Sequence, residues 1–333
     1  MKRVLRAVGR GLARITFVLA HLWCVGAVWW LTNGSRWWTI TLALLVLLAL
    51  PVAWYRWPER RKQCWAIVGG TVVVLLLLGL FKQPRTDRDW TPDMARAPVV
   101  EIDSDLVRVE NIRDATYRTE TDYDVHWRGD TYDVRDLVEL DFLVERFHAW
   151  DALAHTLLSF GFRDGRRLVI SVELRREKGE SFHPVAGIYR QFELHYVVGT
   201  ERDLLGLRTN VRKSRAWLYP IRTTPERMRA VFLAMVQRAE ALRKAPEFYN
   251  TLTSSCTTNI VWHVRDLLPG RIPRDVRILF PGHAAALAHE IGLIDTDLPL
   301  DEAMEAFRID AVGQEGALDA SYSERIRSRR PKR

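Results

Sequence analysis

Three apolar runs dominate the first 81 residues, at positions 15–32, 37–55 and 64–81. Each run has about the ~17 to 25 residues that an α-helix needs to cross the hydrocarbon core of a bilayer. The sequence therefore predicts three transmembrane helices over residues 1–81. The first run does not fit a cleaved secretory signal, because two more runs follow it and no small-residue cleavage site closes it.

Basic residues flank these predicted spans unevenly. Five precede the first span, namely Lys2, Arg3, Arg6, Arg10 and Arg14, and four lie between the second and third, namely Arg56, Arg60, Arg61 and Lys62. Arg36 is the only basic residue between the first and second spans. Because Lys and Arg accumulate in cytoplasmic loops, we expect the N-terminus to be cytoplasmic and everything after Phe81 to lie across the membrane.

The net charge of +8 comes from the region of the predicted spans. Residues 1–81 carry a charge of +9, whereas the remaining 252 residues carry −1. The excess of basic residues is thus explained by the orientation of the predicted spans in the membrane, and no nucleic-acid partner is predicted. The last ten residues, 324–333, hold six basic side chains without an apolar pattern, which predicts a disordered basic tail.

The exported part reads as one α+β domain. Residues 82–98 are polar and hold three prolines, which predicts a linker before a domain at 99–323. Strands are predicted at 154–162, 167–174, 192–198 and 216–221, with a hairpin over 117–134 that turns at Gly129-Asp130. Residues 141–150 fit either a short helix or an extended segment. Helices are predicted from 225 to Pro246, from 256 to 268 and over 284–291.

Cys256 is the most informative residue of this domain. Cys24 and Cys64 lie in or beside the predicted spans, so no disulfide framework is available and Cys256 is alone. It begins a predicted helix, where the helix dipole and a nearby imidazole lower a thiol pKa. Ser254 or Ser255 would cap that helix, and its first turn, with Ser255 and Thr257, would support an oxyanion. The alternative is a small, packed core cysteine.

His155 is the candidate base. It lies in a predicted strand, and a three-residue loop at 163–165 would place it opposite Glu173, whose carboxylate would orient the imidazole. A two-residue turn would place Leu174 there instead, and Ser171 is the substitute on the same face. His283 and His289 lie six residues apart on different helix faces, so no metal site is predicted. No cofactor is predicted either.

Four motifs in this order resemble the Lnb N-terminal periplasmic domain family. They are TETDYDV at 119–125, AHTLLSFGF at 154–162, SVE at 171–173 with EKGE at 177–180, and CTTNI at 256–260. The resemblance extends over roughly residues 100–270. It implies a circularly permuted relative of NlpC-type, papain-like thiol enzymes, in which the histidine strand precedes the cysteine helix. It also implies a bacterial inner-membrane protein whose C-terminal domain is periplasmic.

The resemblance further implies an acyltransferase. Cys256 would carry the acyl group as a thioester, His155 would serve as general base and then acid, and the substrate would be a lipid or lipoprotein in the inner membrane. Ser255 stands where the family pattern leads us to expect Asn. The leading hypothesis is therefore a membrane-anchored Cys/His enzyme for acyl transfer or hydrolysis. The alternatives are a cell-wall peptide amidase or peptidase, and a non-catalytic interaction module.

Overall fold

The computed structural model describes residues 2–31, 41, 49–147, 150–265 and 272–331. These residues divide into two compact units, Met1–Pro84 with His183–Gln191, and Arg85–Phe182 with Phe192–Arg333. The first unit holds helix α1 (Lys2–Leu31), a helical stretch at 49–56 and helix α2 (Arg61–Phe81). Aromatic packing joins these helices, since the Phe17 ring stacks 4.9 Å from Trp54 and meets the Trp65 ring edge-on.

Two candidate membrane helices are described, Ala7–Trp30 and Pro58–Phe81. Both are long and apolar enough to cross a bilayer, and most of their side chains are exposed, unlike those of a core helix in a globular domain. They cover the first and third predicted spans. The second predicted span, 37–55, lies largely outside the described residues. The structure thus shows two candidate apolar helices where the sequence predicted three.

The second unit is built on a mixed eight-stranded sheet. Its strands are β1 (Val99–Asp103), β2 (Leu106–Tyr117), β3 (Tyr123–Asp133), β4 (Leu137–Arg146), β5 (His155–Phe162), β6 (Arg167–Arg175), β7 (Glu193–Gly199) and β8 (Arg215–Pro220). The order is β1-β2-β7-β6-β5-β4-β8, and β3 pairs with β2 outside this path. All pairs are antiparallel except β2 with β7. The predicted α+β class and its β5–β6–β7 meander are confirmed.

Helices cover both faces of this sheet. They are α3 (Glu201–Gly206), α4 (Pro225–Lys244), α5 (Cys256–Arg265), α6 (Ala284–Glu290), α7 (Leu300–Ala306), α8 (Asp310–Gly313) and α9 (Tyr322–Arg325). On one face, Phe232 of α4 packs edge-on against Phe160 and Phe162 of β5. On the other, Leu205, Ile309 and Tyr322 join a buried cluster with alternate residues of the central strands, including Leu157.

The predicted turn at Gly129-Asp130 is wrong, because both residues lie inside β3. The hairpin turns at 118–122 instead, where the Arg118 and Thr119 amides donate to the Asp122 carbonyl. The β2–β3 register shifts between Val109 and Ile112, opposite the Gly-Asp pair. The glycine therefore belongs to a bulged stretch of strand rather than to a turn.

The predicted linker and tail both make ordered contacts in the second unit. Trp90 is buried in the core cluster, and Arg88 binds the Glu177 and Glu193 carboxylates. At the other end, Tyr322–Arg325 is helical and Arg327 forms ion pairs with buried Asp141 and Glu201. Arginines of the expected disordered tail are thus held by buried carboxylates. The division into a membrane region and a periplasmic domain stays a prediction.

Candidate active site

His155 is the first residue of β5, and the β5–β6 hairpin sets its position. Leu157 pairs with Ser171, and the Phe162 amide donates to the Arg166 carbonyl at 2.9 Å. These pairs enclose a three-residue loop, in which Gly165 has a φ of +84°, a left-handed conformation that glycine adopts without strain. The same register places His155 opposite Glu173, as the three-residue alternative predicted.

Three side chains meet at the open end of this hairpin. The His155 Nε2 atom lies 2.7 Å from Ser171 Oγ and 3.1 Å from Glu173 Oε1. Ser171 in turn donates its hydroxyl proton to Glu173 Oε1 at 2.6 Å. Because that proton is committed to the carboxylate, the serine oxygen accepts from the imidazole, so Nε2 carries a hydrogen. Nδ1 is thereby left for another partner.

Cys256 is the first residue of α5. Ser255 caps the helix, since its Oγ accepts from the Thr258 amide while Thr258 Oγ1 accepts from the Ser255 amide at 2.7 Å. This is a reciprocal cap with threonine in the place that Glu or Gln usually takes. The cap decides between the two predicted serines in favour of Ser255. The amides of Cys256 and Thr257 lie in the first turn, where no helix supplies an acceptor.

The Cys256 thiol lies close enough to the His155 imidazole and to Thr156 for both to lower its pKa. Burial opposes ionisation of the thiol, but the imidazolium of His155 and the contacts with Thr156 outweigh it and lower the Cys256 pKa to about 7. Burial likewise disfavours the imidazolium, yet the Glu173 carboxylate and the thiolate raise the His155 pKa to about 10. The site therefore favours a thiolate–imidazolium pair at neutral pH.

The cluster is shielded but not sealed. The His155 side chain is 13% exposed and that of Glu173 19%, while Cys256 as a whole is 5% exposed. Thr257 Oγ1 lies 3.8 Å from the sulfur. The fold thus gathers five predicted residues, His155, Ser171, Glu173, Cys256 and Thr257, and places Ser255 beneath the sulfur as the helix cap.

Arg208 is a contributor that the sequence reasoning missed. Its Nη2 lies 3.2 Å from Glu173 Oε1, and its Nε lies 2.8 Å from Glu145 Oε2. Burial of Glu173 opposes its ionisation, but His155, Arg208 and Ser171 hold its pKa well below the ordinary value. Arg208 therefore keeps the orienting carboxylate charged. An arginine directly after the apolar stretch Leu204–Leu207 was a signal, because a buried arginine needs a carboxylate partner.

Thr156 is the second missed residue. Its fully buried hydroxyl lies 2.9 Å from Thr257 Oγ1, and Thr156 helps to lower the pKa of the Cys256 thiol. It follows His155 directly and points to the opposite side of β5. Two successive residues of one strand thus both favour the thiolate form of Cys256. In the described part of the chain, no group of three or more His, Cys, Asp or Glu side chains could hold a metal ion.

The fold and site together define a mixed α+β domain in which a His155–Ser171–Glu173 cluster lies beside the Cys256 thiol. Residues 123–282 match the Lnb N-terminal periplasmic domain, and this part of the chain belongs to that family. The matched segment contains His155, Glu173 and Cys256 and agrees with the resemblance noted from the motifs. Comparisons with curated proteins and with solved structures gave no match.

Proposed function

We propose that the protein is a membrane-anchored thiol enzyme of the permuted papain-like kind, which moves an acyl group through a thioester on Cys256. Its substrate would be a lipid or lipoprotein at the periplasmic face of a bacterial inner membrane, with the N-terminus cytoplasmic. The observation that carries this proposal is the meeting of three side chains: His155 lies 3.1 Å from Glu173 and lowers the pKa of the buried Cys256 thiol. Family membership and the two candidate membrane helices agree with it.

The first half-reaction uses the thiolate–imidazolium pair. The Cys256 sulfur attacks the carbonyl carbon of an acyl ester, which forms a C–S bond and moves charge onto the carbonyl oxygen. The first-turn amides of Cys256 and Thr257 would stabilise that oxyanion. The intermediate then collapses with cleavage of the C–O bond, and His155 gives its Nδ1 proton to the departing alcohol.

The second half-reaction returns the enzyme to its starting state. An amine or water attacks the thioester carbonyl, and neutral His155 removes the proton from this acceptor. The C–S bond breaks, which releases the thiolate and leaves the imidazole protonated. Glu173 stabilises the imidazolium in both halves, and Ser171 fixes the ring through Nε2. An amine acceptor gives acyl transfer, whereas water gives hydrolysis.

Acyl trapping tests this proposal directly. The full chain with Cys24 and Cys64 replaced by alanine keeps Cys256 as its only thiol. It is incubated with a labelled phospholipid or with a labelled muropeptide, and the peptide that contains Cys256 is examined by mass spectrometry. We expect a hydroxylamine-sensitive acyl adduct from the phospholipid, and its loss after Cys256→Ser.

Two outcomes would support the alternatives instead. An adduct from the muropeptide alone identifies an amidase or peptidase. No adduct from either donor, together with a thiol that never reacts with iodoacetamide, identifies a packed cysteine in a non-catalytic module. His155→Ala provides the matched comparison, because it removes the base while it leaves the thiol in place.

A further inference from the structure

An apolar cleft lies beside the candidate site, between α5, α6 and one face of the sheet. Its cavity volume is about 90 Å³, well below the roughly 300–1,000 Å³ of sites that bury a whole small molecule, so the cleft admits a narrow group rather than a bulky ligand. Of the described residues that line it, only Thr223, Arg227 and Thr257 have polar side chains. The cleft therefore offers almost no hydrogen-bonding partner to an occupant.

The cleft begins next to the sulfur. Thr257 lines it, and Thr257 Oγ1 is 3.8 Å from Cys256 Sγ. Farther along α5, Ile260 and Val264 line the same wall, one and two helical turns beyond Thr257. Leu158 lines the sheet side, two residues after Thr156, whose hydroxyl lies 2.9 Å from Thr257 Oγ1. Cys256 itself is not part of the lining, so a group held on the sulfur would enter the cleft past Thr257.

The apolar lining determines which kind of molecule the cleft can bind. A peptide placed there would bury backbone N–H and C=O groups without partners, which costs several kcal/mol for each group. An unbranched hydrocarbon chain has no such groups and gains free energy in proportion to the apolar surface that it buries. The lining therefore favours a hydrocarbon chain over a stretch of peptide backbone.

The wall formed by α6 is built from small side chains. Ala284 and Ala288 are buried and lie one turn apart on this helix, so both face the cleft. A larger side chain at either position would project into the cleft. Ala286 lies on the same helix outside the lining and is only partly buried.

We propose that this cleft is the binding subsite for the hydrocarbon chain of the acyl group, and that Ala284 and Ala288 set the chain length it accepts. The inference rests on the proposed function for the identity of the reacting group. The cleft itself is independent of the thiol chemistry, so the two ideas can be tested separately.

Photocrosslinking tests the subsite without catalysis. The full-length Cys256→Ala variant in lipid nanodiscs is irradiated with a diazirine-labelled palmitic acid, and crosslinked peptides are mapped by mass spectrometry. We expect crosslinks in α5 and α6, a loss of about fivefold or more in Ala288→Leu, and no loss in Ala286→Leu. Crosslinks absent from both helices, or reduced equally by the two variants, would overturn the subsite even if Cys256 proves reactive.

Acylation with a short and a long ester tests whether Ala284 and Ala288 set the accepted chain length. Wild-type protein and the Ala284→Leu and Ala288→Leu variants are acylated on Cys256 with p-nitrophenyl butyrate and p-nitrophenyl palmitate. We expect each variant to lose about tenfold in palmitoylation rate while butyrylation and iodoacetamide alkylation stay within about twofold. Equal losses with both esters, or no loss with either, would show that Ala284 and Ala288 do not set the accepted chain length. Failure of both esters in the wild type would refute the proposed function, and the crosslinking result would still decide the subsite.

Discussion

His155 and Glu173 face each other across the β5–β6 ladder, with Nε2 of the imidazole 3.1 Å from Oε1 of the carboxylate. Ser171 lies between them on the same face of the sheet and bonds to both. The ring is therefore held from one nitrogen while the other is free to face the thiol. In such an arrangement one ring nitrogen fixes the orientation of the base, while the other nitrogen transfers the proton.

Replacement of Glu173 by glutamine tests this orienting role. The substitution removes the charge that stabilises the imidazolium, so we expect activity to fall by roughly tenfold to a hundredfold, the range for partners that orient a functional imidazole. The pH midpoint for iodoacetamide alkylation of Cys256 should also rise. Exposed Glu315, which bonds to Arg329, provides the control as Glu315→Gln. An unchanged alkylation midpoint in Glu173→Gln would show that the carboxylate has only a structural role.

The thiol should ionise at a lower pH than an ordinary cysteine. The folded pKa of Cys256 is about 7, so the alkylation rate should reach half its maximum near pH 7. His155 stays charged up to about pH 10, so the thiolate–imidazolium pair exists between these values. In His155→Ala, burial remains without the positive charge, and we expect a midpoint at or above the ordinary value of about 8.5. A midpoint that stays near 7 in this variant would show that His155 does not lower the pKa of Cys256.

Much of this site could be predicted from local signals. Alternation along β5 and the rule that paired positions have a constant sum placed His155 opposite Glu173 for a three-residue loop, while a two-residue turn with Leu174 opposite stayed open. A small polar residue before a helical pattern placed Cys256 in a first turn. These inferences succeed because backbone geometry relates residues that are close in sequence or joined by one hairpin.

Other contacts join residues that no local pattern relates. Arg208 reaches Glu173 and Glu145 from a segment that follows α3, and Arg327 reaches Asp141 across 186 positions. Tertiary packing decides these pairs, since a buried guanidinium takes the carboxylate that the fold brings to it. The Gly129-Asp130 error has a similar origin, because a bulge and a turn share the same residue preferences.

The helix cap beneath Cys256 should be measurable as a stability effect. Ser255 caps the Thr258 amide, so Ser255→Ala should lower the free energy of unfolding by about 1 kcal/mol. Ser255→Asn should keep most of that free energy, because asparagine caps helices as well as serine does. Urea denaturation of the full chain in detergent micelles, followed by tryptophan fluorescence, compares the three proteins. Equal losses in the alanine and asparagine variants would contradict a capping role.

The C-terminal segment should be essential for stability. Arg327 Nη2 lies 2.7 Å from Asp141 Oδ2 and Nη1 lies 2.7 Å from Glu201 Oε2, with both carboxylates buried. Arg327→Met keeps the apolar stem but leaves the Glu201 charge without its partner, so we expect a loss of about 3–5 kcal/mol. Arg329 pairs with Glu315 on the surface, and Arg329→Met should have little effect.

The same ion pair predicts a specific dependence on pH. Burial opposes ionisation of Glu201, but Arg327 outweighs it and lowers the Glu201 pKa to about 2. An acid with a depressed folded pKa contributes stability above its unfolded pKa, and that contribution is lost as pH falls from about 4.5 to about 2. In Arg327→Met, burial acts on Glu201 without the guanidinium and raises its pKa, so the difference in unfolding free energy between wild type and this variant should shrink as the pH falls toward 2. A difference that does not change on acidification would show that Arg327 stabilises the fold through packing rather than charge.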